Sequence, residues 1–168
     1  MKVNKVWTLM LFAGIAASPA IAQNKDLTGA WNLNLTKSFM AGDHPPSDYQ
    51  LTKKIEQKDG TFSMTDTSVH AAIMNIPLPD STTTMAFAVD GKEHDVHLPP
   101  PFPGMPPMTA KASAEWQGCT LEIRQTSPAG SAKQRIFLSD DGTQLIILVE
   151  AHSTYGDSEQ RMVFDKAN

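Results

Sequence analysis

The stretch Thr120-Leu121-Glu122-Ile123-Arg124 decides the fold, because apolar and charged side chains alternate along it. Successive side chains of a β-strand point to opposite faces, so this period of two predicts a strand with one buried face and one solvated face. The turn dipeptide Gln117-Gly118 lies just before it, and a second strand-like segment ends at Trp116. Two such segments joined by a short turn predict a β-hairpin.

The same rhythm continues along the chain from Leu27 onward. Short segments rich in Thr, Val, Ile and Phe are separated by turn residues, and none has a helical period. An Asp-Gly turn is favoured where both central residues need a positive φ. The clearest turns are Asp59-Gly60, Asp90-Gly91, Gln117-Gly118, Asp141-Gly142 and Tyr155-Gly156-Asp157.

Reading outward from these turns predicts ten strands, of which the segment 93–98 is compatible with either a strand or a loop. The predicted segments are 29–35, 48–57, 61–67, 81–89, 93–98, 110–116, 120–125, 133–138, 144–152 and 159–165.

The apolar run Leu145-Ile146-Ile147-Leu148-Val149 breaks the alternation. Such a run predicts a strand that is covered on both faces, or one whose inner side lines an apolar cavity. Consecutive hairpins favour a meander closed into a barrel, because closure removes exposed sheet edges. We therefore predict an all-β, up-and-down antiparallel barrel of about eight to ten strands, with a β-sandwich as the alternative.

The first 22 residues predict a secretory signal peptide. Lys2 and Lys5 precede an apolar run over residues 6–17, and Ala20-Ile21-Ala22 supplies the small residues that signal peptidase requires. The apolar run is shorter than the roughly 20 residues that span a bilayer, so we expect no transmembrane segment. We expect cleavage near Ala22/Gln23 and export of one domain, residues 23–168, to the periplasm or beyond.

Charge and cysteine content narrow the classes of partner. The net charge is −4, no cluster of Lys or Arg stands out, and Cys119 is the single cysteine. Nucleic acid and anionic membranes are therefore poor partners, and no disulfide forms within the chain.

The opening Leu27-Thr28-Gly29-Ala30-Trp31-Asn32-Leu33-Asn34-Leu35 carries a Gly-x-Trp motif that resembles the first strand of lipocalins. Together with the later hairpin segments it is similar to small secreted bacterial lipocalin-like proteins over nearly the whole mature chain. The resemblance implies a barrel that is open at one end and filled at the other. It also implies structural roles for Gly29 and Trp31, with Trp31 at the closed end under a basic side chain. Arg161 is the expected partner, and Arg135 and Arg124 are alternatives.

Two apolar segments interrupt the rhythm, at residues 70–80 and 98–108, and the second is rich in proline. Proline removes backbone donors and favours an extended conformation, so the second segment is predicted to be a stiff connection outside the sheet. Each segment either forms a lid over a cavity or plugs one end of the core. As a lid, the segments predict ligand contacts at Ile73, Met74, Ile76, Leu78, Phe102, Met105 and Met108.

No catalytic residue, metal site or cofactor is assigned from the sequence. His94-x-x-His97 with Met105 and Met108 suggests copper, but residues three apart on a strand point to opposite faces. No nucleophile elbow, phosphate loop or dinucleotide motif is present.

The leading functional hypothesis is a secreted or periplasmic, non-catalytic binding protein for a small apolar ligand, by analogy with the fold. The alternative is an envelope protein that docks a protein partner through the proline-rich loop. Copper binding through His and Met is a third hypothesis.

Overall fold

The computed structural model describes residues 26–40, 45–73, 76–98, 107–154 and 156–167, so the predicted signal segment, residues 1–22, lies outside it. In these residues a short 3-10 helix at Leu35–Lys37 accompanies twelve β-strands. The strands are β1 (Gly29–Leu33), β2 (Gln50–Lys58), β3 (Thr61–Val69), β4 (Ala72–Ile73), β5 (Ile76–Pro77), β6 (Ser81–Ala88), β7 (His94–Leu98), β8 (Met108–Gln117), β9 (Thr120–Ser127), β10 (Gly130–Leu138), β11 (Gln144–Ser153) and β12 (Gly156–Lys166). No helix in the described part of the chain is long and apolar enough to cross a membrane.

Ten of these strands form one antiparallel sheet in the order β6-β3-β2-β1-β12-β11-β10-β9-β8-β7. Strands β6 and β7 are the two edges of the sheet and lie side by side, so the sheet is a nearly closed barrel. The prediction of an up-and-down barrel is confirmed. The segment 93–98, left open between strand and loop, forms β7.

The two ends of the barrel differ in how the strands are connected. At one end, here called the closed end, short turns join β2 to β3, β6 to β7, β8 to β9 and β10 to β11. At the other end, called the mouth, lie the long connections from β1 to β2 and from β3 to β6. Strand β7 also ends there, and β8 begins there. The small hairpin of β4 and β5 belongs to the connection from β3 to β6.

The turns follow the predicted chemistry only in part. At Asp59-Gly60 both residues have positive φ, 50° and 76°, as the Asp-Gly rule predicts for a two-residue hairpin turn. At Asp90-Gly91 and Asp141-Gly142 only the glycine has a positive φ. These two turns contain more residues than the first, so their aspartates keep an ordinary backbone conformation. Asp141 instead accepts hydrogen bonds from Ser139 and Thr143, which lower its pKa to about 2.

Trp31 fills the closed end of the barrel. Its indole Nε1 donates a hydrogen bond of 3.1 Å to the carbonyl of the buried Leu27. Gly29 has a φ of 148°, in the region that favours glycine, and a Cβ there would lie 3.5 Å from Trp31 Nε1. The Gly-x-Trp motif thus allows the chain to bend beside the indole.

The basic side chain over Trp31 is Lys166, in place of the expected Arg161. Lys166 is the direct partner of Trp31 in the β1–β12 register, and its Nζ lies 5.9 Å from the ring centroid. Arg161 is five residues earlier on β12 and therefore points to the outer face, where it donates to the Lys37 carbonyl.

The apolar run on β11 is buried asymmetrically. Leu145 and Ile147 face the interior and are fully buried, whereas Ile146 and Leu148 on the outer face are half-buried. Ile146 lies between the apolar side chains of Phe137 and Val163 on the neighbouring strands. Cross-strand apolar neighbours therefore explain the break in alternation on the outer face.

Gly130 provides a test of the hairpin packing at the mouth. Its φ is 144°, and a Cβ there would lie 2.1 Å from the His152 carbonyl oxygen. We expect Gly130→Ala to lower the free energy of unfolding by about 2–3 kcal/mol, measured by urea denaturation. Gly118→Ala is the control, because its φ of 62° is also positive but a Cβ meets nothing within 4 Å. Equal losses in the two variants would contradict this account of Gly130.

Candidate functional site in the barrel interior

The interior of the barrel is filled with large apolar side chains toward the closed end. The strand registers place one residue in two on the inner face, and this set contains most of the core. The large side chains of the inner face that are 3% exposed or less include Trp31, Ile55, Phe62, Phe87, Leu121, Ile123, Ile136, Leu145, Ile147 and Phe164. This half of the lumen is a packed core.

Toward the mouth, the inner faces of β8, β10 and β11 carry small side chains. We call Ala110 and Ala112 of β8, Ala132 of β10 and Ala151 of β11 the alanine wall. Ala132 pairs with Ala151 on one side and with Gln125 of β9 on the other, and Gln125 pairs in turn with Ala112. The wall is therefore continuous across β8 to β11.

A cavity of about 170 Å³ opens against this wall at the mouth. Its lining is mostly apolar and small, because alanine, serine and glycine side chains leave the space between the strands unfilled. The lining residues are Leu98, Ala110, Gln125, Ser127, Ala129, Gly130, Ser131, Ala132, Ala151, His152 and Ser153.

A buried ion pair lies on the inner faces of β2 and β3. Lys53 Nζ donates to Asp66 Oδ2 at 2.5 Å, and the two residues are direct partners in the β2–β3 register. The side chains are 5% and 27% exposed, respectively. Lys53 Nζ also lies 5.6 Å from the centroid of the Phe164 ring on β12. Burial lowers the pKa of Lys53, and Asp66 opposes this effect by favouring the charged form. We refer to this pair as the inner ion pair.

Further polar groups continue from the inner ion pair toward the mouth. The Tyr49 hydroxyl hydrogen-bonds the Ser68 side chain, and burial, as the largest cause, raises the pKa of Tyr49. Asp66 Oδ1 and Gln125 Nε2 are buried and have no hydrogen-bond partner in the described part of the chain. These two atoms, an acceptor and a donor, are unused polar groups of the inner face.

The structure places the described members of the predicted ligand site at the mouth. Ile76 is 66% exposed on the β4–β5 hairpin, and the half-buried Leu78 donates its backbone N–H to Ala71. Ile73 belongs to β4. Met108 begins β8 beside Leu98, which lines the cavity. The predicted contacts Met74, Phe102 and Met105 lie outside the described residues, as does most of the proline-rich segment.

Sequence reasoning missed the inner ion pair, although a signal for it was present. Lys53 lies between Leu51 and Ile55 in the alternation, so it occupies a position of the buried face. Asp66 lies in the same way two residues after the buried Met64. A charged residue at a buried position of two adjacent strands is a local pattern that points to a polar site inside the barrel.

The described histidines proposed for copper are not brought together. His94 Nε2 lies 3.0 Å from Asp90 Oδ1, whereas His97 is exposed on the opposite face of β7. Among residues 26–40, 45–73, 76–98, 107–154 and 156–167, no three side chains of His, Cys, Asp or Glu form a group suited to a metal ion.

We expect Lys53→Met to lower the free energy of unfolding by about 3–5 kcal/mol near neutral pH, because it leaves the Asp66 carboxylate buried without its partner. The double variant Lys53→Met/Asp66→Leu removes both charges and should stay within about 1–2 kcal/mol of the wild type. Urea denaturation measures both. Similar losses in the single and double variants would contradict a buried, interdependent pair.

The Asp66→Asn variant should show a pH dependence that the wild type shows less strongly. Burial lowers the folded-state pKa of Lys53, and loss of Asp66 lowers it further. The unfolded chain then binds more protons than the folded chain at alkaline pH, so the stability of Asp66→Asn should rise from about pH 7 to about pH 10, relative to the wild type. Urea denaturation across that interval tests this. The same pH dependence in Asp66→Asn and in the wild type would contradict a buried Lys53 ammonium that Asp66 stabilises.

Comparisons with known proteins identify the fold but no sequence family. No protein-family model matches the chain, and no curated protein matches it. Among solved structures, the chain is similar to Echinococcus granulosus fatty-acid-binding protein 1, with a TM-score of 0.59 and 11% identity over 84% of this chain and 98% of the other. It is also similar to a Schistosoma mansoni fatty acid binding protein in complex with arachidonic acid, at 0.57 and 12% over 88% and 99%. The zebrafish ileal bile acid-binding protein complexed with cholic acid matches at 0.52 and 20% over 83% and 98%. The chain therefore has the lipocalin-like barrel fold of these proteins.

Proposed function

We propose that this protein binds a small, largely apolar ligand in the mouth half of its barrel and performs no catalysis. The observation that carries the proposal is the alanine wall with its cavity of about 170 Å³, in a barrel whose other half is filled by large side chains. A wall of small apolar side chains next to a few polar groups is typical of a ligand pocket.

The structural neighbours support the same ligand class. Two of them are fatty-acid-binding proteins, one in complex with arachidonic acid, and the third is a bile acid-binding protein in complex with cholic acid. Because the identities are 20% or lower, we transfer only the class of ligand, an apolar or amphipathic small molecule.

The segments around the mouth complete the proposed site. Ile76, Leu78 and Met108 supply apolar groups beside the opening, and Ile73, Met74, Phe102 and Met105 are proposed as further contacts from the sequence alone. We further propose that the protein is exported, with the signal peptide cleaved near Ala22/Gln23, and that it acts in the periplasm or outside the cell.

Filling the cavity should weaken binding without unfolding the barrel. We expect Ala132→Phe and Ala151→Phe each to weaken binding of a fluorescent apolar probe by about tenfold or more, because the new ring occupies the space of the ligand. Fluorescence titration of the mature protein measures the affinity, and native mass spectrometry of the purified protein tests for a co-purified ligand.

Ala86→Phe is the matched control for this experiment. Ala86 is exposed on the outer face of β6, so the same substitution there adds a ring outside the barrel. It should leave probe affinity unchanged. Equal weakening by Ala86→Phe, or unchanged affinity in both cavity variants, would place the probe elsewhere and contradict the proposed site.

A further inference from the structure

The inner ion pair is only partly satisfied by the groups around it. The Lys53 ammonium has three donors, of which the structure pairs one with Asp66 Oδ2. Asp66 Oδ1 is buried and accepts no hydrogen bond within the described residues. A buried acceptor without a partner is unfavourable. The pair therefore presents a spare donor and a spare acceptor on neighbouring atoms.

The charge of the surrounding wall decides which chemical group fits there. Besides Lys53 and Asp66, the ionisable side chains on the inner faces of the described strands are His94 and Lys166. Lys166 lies over Trp31 at the closed end, whereas His94 is exposed at the start of β7, opposite Ala112, with its Nε2 3.0 Å from Asp90 Oδ1. Lys53 and Asp66 carry opposite charges, so the inner ion pair is neutral as a unit. A ligand carboxylate would face the Asp66 carboxylate, and a ligand ammonium would face Lys53, each at the cost of like-charge repulsion in a buried site.

A hydroxyl group matches both spare atoms, because its oxygen accepts a hydrogen bond from Lys53 while its proton is donated to Asp66 Oδ1. The second unpartnered group, Gln125 Nε2 on β9 between Ala112 and Ala132, is a neutral donor that also suits an uncharged oxygen. Tyr49 and Ser68 add hydroxyl groups of their own between the ion pair and the mouth.

We infer that the lumen selects a neutral amphipathic alcohol, a molecule with an apolar body and a hydroxyl group that binds between Lys53 and Asp66. The class includes long-chain alcohols, monoacylglycerols and sterols, and it excludes free fatty acids as preferred ligands. This inference rests on the proposed function, because it requires that the lumen bind an apolar ligand at all.

The test compares ligands that share one chain and differ in the terminal group. Displacement of a fluorescent apolar probe from the mature protein near neutral pH is measured with dodecanol, dodecanoate, dodecylammonium and dodecane. We expect dodecanol to bind about tenfold more tightly than each of the other three, because only it completes both hydrogen bonds. In Lys53→Met/Asp66→Leu this advantage should disappear while dodecane still binds.

Asp66→Asn provides a second, nearly isosteric variant. It removes the negative charge and leaves Lys53 without a counterion, so dodecanoate should now bind more tightly than dodecanol. Lys54→Met/Glu56→Leu is the control, since Lys54 and Glu56 form an ion pair of 2.7 Å on the outer face of the same strand. This control should retain the preference of the wild type for dodecanol.

The outcomes separate the two proposals. Failure of the probe and of all four ligands to bind the wild type would overturn the proposed function itself. Binding of dodecanoate or dodecane as tightly as dodecanol would overturn only the inference, and would mean that water already satisfies the inner ion pair. A preference for dodecanol that survives in Lys53→Met/Asp66→Leu would likewise overturn its assignment to Lys53 and Asp66.

Discussion

The pairing of β1 with both β2 and β12 is the constraint on which the rest of the structure depends. β1 is only five residues long, yet it pairs with both β2 and β12, so the ten strands form one continuous sheet whose edges, β6 and β7, lie side by side. If β1 did not pair with both strands, β2 and β12 would be exposed sheet edges and the inner face would have no opposite wall. In the resulting barrel, every inward side chain either fills the interior or lines a cavity.

Trp31 shows how this closure organises the interior. It is the direct partner of Lys166 on one side and of Lys53 on the other, so the central indole of β1 lies between two lysines. Lys166 lies over the indole at the closed end, while Lys53 is buried and requires Asp66. The same register that fills the closed end therefore also places a charged pair inside the barrel. Because burying two charges costs free energy that their attraction only partly offsets, this pair is an expensive way to fill a core. That cost is most readily understood if the pair has a ligand to recognise.

The sequence predicts much of this structure because most of its information is local. All ten strands follow from alternation and turn residues, which act within about ten residues of each other. Even the inner ion pair was accessible: a two-residue turn at Asp59-Gly60 fixes the register of its hairpin and so pairs Lys53 with Asp66. The partner of Trp31 was not accessible in this way. Choosing Lys166 over Arg161 requires the register between β1 and β12, which no turn connects and only barrel closure determines. The alanine wall depends in the same way on how four strands align.

The position of the inner ion pair also gives the proposed site a direction. Lys53 contacts the ring of Phe164, which belongs to the filled half, whereas Tyr49 and Ser68 lie beyond the pair toward the mouth. The pair thus lies between the packed core and the mouth ends of β2 and β3. In the proposed site, a hydroxyl bound between Lys53 and Asp66 leaves the apolar body of the ligand in the mouth half, against the alanine wall. In that orientation the polar group is removed from water only where two protein groups replace its hydration. The apolar body of the ligand then occupies the cavity that the small side chains leave unfilled. In the proposed site, the sizes of the inward side chains leave space only in the mouth half, and this determines where the ligand lies. The inner ion pair determines that the hydroxyl end of the ligand enters first.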